Sequence, residues 1–265
     1  MPSPTPHRRS AAPVGAHGNG SAAAGRTGQA PSTGGLLSAC REQGKREPTG
    51  AVSSSEGATA WAWRSCSRNL PPDPLNESFF LERTEVVARG LLGSRLRSSM
   101  GGRVTEGVIV ETEAYVGPHD PASHAAARIG RTSRNEPMFG PPGRAYIFQS
   151  YGIHLCLNVV TEGKGFPAAV LIRALDPVVG LEHMRDRRGG REPLCSGPGR
   201  VGQALGISLA LNHHRFSRDP LILSGGWEIP ATLCGVSGRI GIREASDWPL
   251  RFYVRGHPEV SGPTP

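Results

Sequence analysis

The chain has 265 residues, 36 of them Gly and 24 Pro, with 37% hydrophobic residues and a formal net charge of +8. No apolar run approaches the length of a membrane span, and the five scattered cysteines (Cys40, Cys66, Cys156, Cys195, Cys234) form no CxxC pair and follow no secretory leader. That pattern argues against a membrane protein and against a secreted disulfide scaffold, and points to a reducing cell interior.

The first seventy residues are rich in Ser, Ala, Gly and Pro ("GNGSAAAGRTGQAPSTGG") and show no apolar periodicity that would offset the entropy of ordering them. Residues 1–70 are therefore expected to be a disordered leader. It carries eight basic residues against Glu42, Glu47 and Glu56, which leaves the rest only mildly basic. Contact with nucleic acid fits that balance but is not dictated by it. Arg8-Arg9 resembles an export signal but lacks the apolar core that must follow, while an Arg-rich, acid-poor organelle leader stays open. Residues 71–265 are long enough for one domain with a core.

Within that domain "RTEVVARGLLGSRL" predicts a short helix with Thr84 as N-cap and Gly93 as terminator. A strand then reaches a Gly101-Gly102 turn and returns through Val104 to Ala114, a hairpin. Pro118 to Gly143 reads as a long loop bearing Arg128, Arg131 and Arg134, with Arg144 just beyond; loops of this length are usually functional or disordered. "AYIFQSYGIHLCLNVV" alternates as strand on either side of a break at Tyr151-Gly152. Ile153, Leu155, Leu157 and Val159 share one face, and His154, Cys156 and Asn158 the other. "AAVLIRALDP" is a buried strand, Asp176-Pro177 is expected to cap a helix through Met184, and Ser196 with Pro198 to open another. "SGRIGIREASDWPLRFYVRG" reads as two strands around a turn. Without a regular βαβ rhythm, the expected fold is α/β of the α+β kind: a mixed, mostly antiparallel curved sheet flanked by helices.

Chemistry gathers at "VIVETEAYVGPHDPASH". A period of two puts Glu111, Glu113 and Tyr115 on one side of the sheet. Arg173 sits inside an apolar strand, where an unpaired guanidinium is costly, so it calls for an acidic partner or a polar cavity. A carboxylate beside it would suit general-base work. Three readings compete. Glu113, His119 and His124 could serve a metal-dependent hydrolase or nuclease, with Asp120 nearby, although the loop spacing is poor for ligands. The arginine loop and aromatics could belong to a DNA-binding protein without catalysis, with Tyr151 as a wedge. The third is an enzyme built on Glu113.

These pieces, together with "VARGLLG", "RNEPMFGPPGRAYIFQSYGIHLCLNVV", "VLIRALDP", "LCSGPGRVGQALGI" and "PLRFYVRG" in this order, resemble the alkyladenine (methylpurine, 3-methyladenine) DNA glycosylases over about Phe79 to Ser261. The resemblance implies a monofunctional glycosylase of base excision repair. Such an enzyme flips alkylated or deaminated purines from duplex DNA and hydrolyses the N-glycosidic bond without metal or other cofactor. It implies that Glu113 activates a water held also by Arg173 and the carbonyl of Ile240. Tyr115 on one side, with His124 and Phe148 on the other, would grip the base, Tyr151 would fill the gap in the duplex, and Asn158 would resist the amino group of guanine. Two positions depart from the pattern of some relatives: Phe148 replaces a tyrosine, and His154 replaces a second tyrosine beside the wedge. A bifunctional lyase would need an amine nucleophile, and Lys164 is the only lysine after residue 70. The expected partner is double-stranded DNA with damaged purines, met by a monomer in the bacterial cytoplasm at the nucleoid or in a eukaryotic nucleus, neither at a membrane nor secreted.

Overall fold

The computed structural model describes residues 68–69, of which only the backbone, and 72–263. The expected leader lies otherwise outside the described residues. The elements begin with β1 (Arg68–Asn69), the short helices α1 (Glu77–Phe80) and α2 (Thr84–Gly90), then β2 (Arg95–Ser98) and β3 (Thr105–Tyr115). The hairpin β4 (Ala145–Ser150) and β5 (His154–Val160) follows the long loop and leads to β6 (Ala169–Val179), α3 (Leu181–Arg187) and α4 (Pro198–Ala204). Three short strands, β7 (Ser217–Arg218), β8 (Leu221–Ser224) and β9 (Trp227–Glu228), precede β10 (Cys234–Ser237) and β11 (Arg251–Val254).

The sheet is curled and runs in the order β4-β5-β6-β3-β2-β8-β7, every pairing antiparallel, and β1 pairs with β9 apart from it. Long β3 is its axis. One edge pairs with β6, while the other is shared between β2 at its start and β11 at its end. The α+β architecture expected from the sequence is therefore present. Its helical face buries Ile109, Ala114, Val170, Ile172, Leu157 and Val159 against Val87, Ala88 and Leu91 of α2 and Val201, Ala204 and Leu205 of α4. Each Val, Leu or Ile among them contributes about 1.5–3 kcal/mol by leaving water. Gly202 lets α4 approach β5, since a β-carbon there would lie 2.0 Å from the Leu155 carbonyl oxygen.

Several local expectations are corrected. Thr84 begins the helix as its first residue rather than capping it, because its hydroxyl is drawn into bonds with Thr161 (2.9 Å) and Glu162 (2.5 Å). Asp176-Pro177 starts no helix: β6 continues through Pro177 to Val179 because Gly107 and Glu106 offer it pairing partners, and α3 starts only after Gly180 turns left-handed (φ 72°). Gly197, not Ser196, precedes α4, with Pro198 at its first position as expected. Of the two strands expected in "SGRIGIREASDWPLRFYVRG" only the second forms, as β11; β10 ends at Ser237, where that stretch begins, so "GRIGI" is loop.

Two of the three irregularities in the β3–β6 ladder aim the polar residues. Ile109 faces Leu175 and Glu111 faces Ala174, which leaves Val110 unopposed; Thr112 then faces Ile172, which leaves Arg173 unopposed. Extra residues of this kind bend a strand and redirect side chains. Here Thr112 turns to the helical face, donating to the Ala88 carbonyl (2.8 Å), while Glu111, Glu113 and Tyr115 take the opposite face.

Candidate active site

Glu113 and Glu111 are fully buried, and the acidic partner that Arg173 demanded is both of them. Arg173 Nη1 lies 3.2 Å from Glu113 Oε1, and its Nε donates to Glu111 Oε1 at 3.1 Å. Glu113 Oε1 also accepts the backbone N–H of Ile240 (2.7 Å), and Oε2 accepts the Tyr115 hydroxyl (3.1 Å). Ile240 thus meets Glu113 through its N–H, whereas the resemblance points to its carbonyl. Burial pushes the Glu113 carboxyl above the usual carboxylate range, and Arg173, the Ile240 N–H and Tyr115 only partly oppose it. At Arg173 the balance goes the other way: burial lowers it, but Glu113 and Glu111 outweigh that and keep it charged. Burial, then the charge of Glu113, raises the Tyr115 phenol well above its ordinary value, so it stays a donor.

Directly beside this cluster is a cavity of about 300 Å³, large enough for one planar ring system. Tyr115, Arg173 and Ile240 line it; Glu113 sits one side chain behind them. His124, Phe148, Tyr146 and Asn158 form further walls, and Tyr151 stands at the rim. The His124 ring meets Phe148 edge-on at 4.4 Å and takes Tyr146 Oη at 2.7 Å on Nδ1. Burial, helped by Arg134, lowers His124 to about 4, so it is a neutral ring at physiological pH and packs as an aromatic. Asn158 Nδ2 donates to the Tyr146 carbonyl (3.0 Å) across the β4–β5 ladder, which fixes the amide at the cavity wall.

Tyr151 is at the tip of the β4–β5 hairpin, 89% exposed and with φ of 50°, and Ile153 beside it is 73% exposed. An unsupported tyrosine in a left-handed conformation is costly for folding alone.

The structure thus brings Glu113, Tyr115, His124, Phe148, Asn158, Arg173 and Ile240 together, with Tyr151 at the mouth. His119 is elsewhere, in a depression with Trp248 and Glu162. Asp120 is committed to Arg239: Arg239 Nη2 donates to Oδ1 at 2.8 Å and Nη1 to Oδ2, both side chains fully buried. Among the described residues no three His, Cys, Asp or Glu side chains converge as ligands, so the set His119, His124 and Glu113 does not assemble. Sequence reasoning missed Arg239 and Arg251. Arg251 gave the same signal as Arg173, a charge within the apolar run "PLRFYV"; Arg239, in a Gly-rich loop, gave none.

A curled sheet with a buried acid behind an aromatic-walled cavity suits an enzyme that acts on a planar ring, and comparison with known proteins supplies the family. The family model for "Methylpurine-DNA glycosylase (MPG)" matches residues 78–258. The chain belongs to the methylpurine-DNA glycosylase family. Similar proteins carry the name "Putative 3-methyladenine DNA glycosylase". That of Rhodopseudomonas palustris (strain BisB18) is 47% identical over 191 residues, covering 71% of this chain and 91% of its own length. Those of Myxococcus xanthus (strain DK1622) and Chlorobaculum tepidum are 45% and 43% identical, each over 72% of this chain and 95% and 94% of their own lengths.

Proposed function

We propose that this enzyme excises alkylated purines from duplex DNA by turning the damaged nucleotide into the cavity and hydrolysing its N-glycosidic bond, with Glu113 as general base. The observation that carries the reading is the state of Glu113: a buried carboxylate, its basicity raised, immediately behind a ring-sized aromatic cavity. Glu113 Oε1 already has two polar neighbours, Ile240 N–H and Arg173 Nη1, whereas Oε2 meets Tyr115 alone. A carboxylate oxygen has two lone pairs, so Oε2 is the atom with room to take a proton from water. The ionised group also stabilises the oxocarbenium-like sugar that forms as the bond breaks.

An alkylated purine is often cationic and leaves readily, so one acid suffices. Exposed Lys164, in the turn between β5 and β6, is outside the cavity, which supports hydrolysis over a Schiff-base lyase. Extruding the base costs a few kcal/mol, less for damaged pairs. Tyr151, exposed at the rim, with exposed Ile153 two residues further along the hairpin, suits a wedge that holds the vacated stack open. One chain supplies all these groups, so the proposed site needs no second subunit.

The test is incubation, with chelator present, of duplexes bearing single 3-methyladenine, 7-methylguanine, hypoxanthine or ethenoadenine, scored for free base and abasic sites. The parent enzyme should release base and Glu113→Gln should bind the lesion but lose about a hundredfold to ten-thousandfold in rate, the usual worth of a general base. Undiminished excision by the Gln variant would end the assignment.

A further inference from the structure

We propose that Glu111 is a positioning residue for the excision reaction: through the Arg173 guanidinium, and together with the Ser261 segment, it aims the charge that meets Glu113. This rests on Glu113 being the base. Both Glu111 oxygens are engaged. Oε1 accepts Arg173 Nε (3.1 Å) and Arg251 Nε (2.7 Å), and Oε2 accepts the Ser261 N–H (2.7 Å).

Arg173 is in turn held at three points, Nε on Glu111, Nη1 against Glu113 and Nη2 on Ser261 Oγ (3.1 Å). A planar ion fixed at three corners cannot rotate, so the direction of Nη1 is decided by partners that never reach the cavity. Arg173 is also an unopposed residue of its ladder, so hydrogen bonding to β3 alone would not orient it. Arg251, from β11, supplies the second cation and ties the cluster to the chain end through the Ser261 carbonyl (2.7 Å) and the Pro263 carbonyl (3.1 Å). Two carboxylates and two guanidiniums thereby balance in a buried site, where a missing member would leave a charge uncompensated.

The other groups facing Glu113 are the Tyr115 hydroxyl on its own strand and Cys156 on β5; Arg239, in the loop before β11, lies over the Tyr115 ring. Glu111 acts on Glu113 in two ways: it holds Arg173 in line, and its negative charge raises the basicity of its neighbour. Glu111→Gln removes the charge while nearly keeping the shape.

The experiment is single-turnover excision against pH for the full chain, with lesion-DNA affinity and thermal unfolding measured on the same samples. For Glu111→Gln the plateau rate should fall about tenfold to a hundredfold, as for a misaligned catalytic group, with lesion affinity changed far less, because of the cavity walls only Arg173 shifts and Tyr115, His124 and Phe148 stay in place. The acid limb, where rate is lost as Glu113 protonates, should move to lower pH. A variant that only misfolds would lose amplitude in proportion to the unfolded fraction and leave the limb where it was; that result, or an unchanged rate and limb, overturns the proposal. Should Glu111→Gln not fold, Ser261→Ala decides. It removes only the Oγ contact, and its rate should fall several-fold at unchanged affinity and unchanged limb; a parental rate overturns the proposal. Excision by Glu113→Gln at the parental rate would instead show that the base assignment failed.

Discussion

Asn158→Ala separates selectivity from catalysis. The amide is 3% exposed, lines the cavity, and is held by Nδ2 on the Tyr146 carbonyl at 3.0 Å, with a longer contact of 3.4 Å to the Cys156 carbonyl. A side chain bound in this way cannot swing aside for a larger base. Guanine carries an amino group at C2 that adenine and hypoxanthine lack, so a guanine-type lesion must either clash with Asn158 or sit displaced from Glu113. Truncation should cost about 1 kcal/mol of stability for the buried hydrogen bond, a fall of about 2–4 °C in thermal midpoint for a domain of this size. Discrimination by one pocket group is typically about 1–3 kcal/mol, so the ratio of 7-methylguanine to hypoxanthine excision should rise about tenfold or more. Single-turnover rates for both lesions in both proteins supply the ratio. An unchanged ratio with both rates intact would refute steric exclusion by Asn158, whatever happens to stability.

Further outcomes are expected elsewhere. Because burial raises the folded pKa of Glu113 above its unfolded value, its contribution to stability is fully present below the unfolded pKa and is lost as pH rises through the folded one. Glu113→Gln should therefore flatten that loss of stability with rising pH while losing excision, and an unchanged pH dependence of unfolding would contradict that sign. Parental excision should also fall on acidification at a pH above the ordinary carboxylate range, and a pH-rate profile whose acid limb lies at an unperturbed value would exclude Glu113 as the titrating group. Asp120→Asn leaves Arg239 buried without its carboxylate and should cost about 3–5 kcal/mol by denaturant unfolding; less than about 1 kcal/mol would mean that the pair is replaceable by water. Tyr151→Gly relieves the left-handed backbone and should gain about 1 kcal/mol of stability while excision from duplex DNA falls, so equal excision at limiting enzyme would remove the wedge role.

Arg173 and Arg251 show how buried charge is organised in this fold. Both guanidiniums enter from apolar strands on opposite flanks of β3 and converge on Glu111 Oε1, at 3.1 and 2.7 Å. The sheet thus carries an ionic layer on its cavity face and an apolar layer of Ile172, Leu157 and Phe252 on the other, where Thr112 is bonded to the Ala88 carbonyl. Side-chain alternation keeps the two apart, and Glu113, Tyr115, Phe148, Asn158 and Arg173 gain a rigid base on strands.

Whatever depends on near neighbours along the chain is legible before folding. Alternation from Val108 to Tyr115 puts Glu113 and Tyr115 on one face, the Gly101-Gly102 turn forms the hairpin, the break at Tyr151-Gly152 exposes a ring, and an arginine among Val, Leu and Ile demands a carboxylate. Motif order carried the family. The tertiary structure alone decided which carboxylates answer that arginine, because the bonds joining Arg173 to Glu111, Arg251 to Glu111 and Arg239 to Asp120 span 62, 140 and 119 residues. It also decided the two irregularities at Val110 and Arg173. Strict alternation would set Ile109 beside the acids, yet Ile109 lies in the apolar core, because one unopposed residue reverses the phase of everything after it. Asp120, legible only as a possible metal ligand, became half of an ion pair for the same reason: a local pattern states what a side chain can bind, and the folded chain determines what is brought within reach.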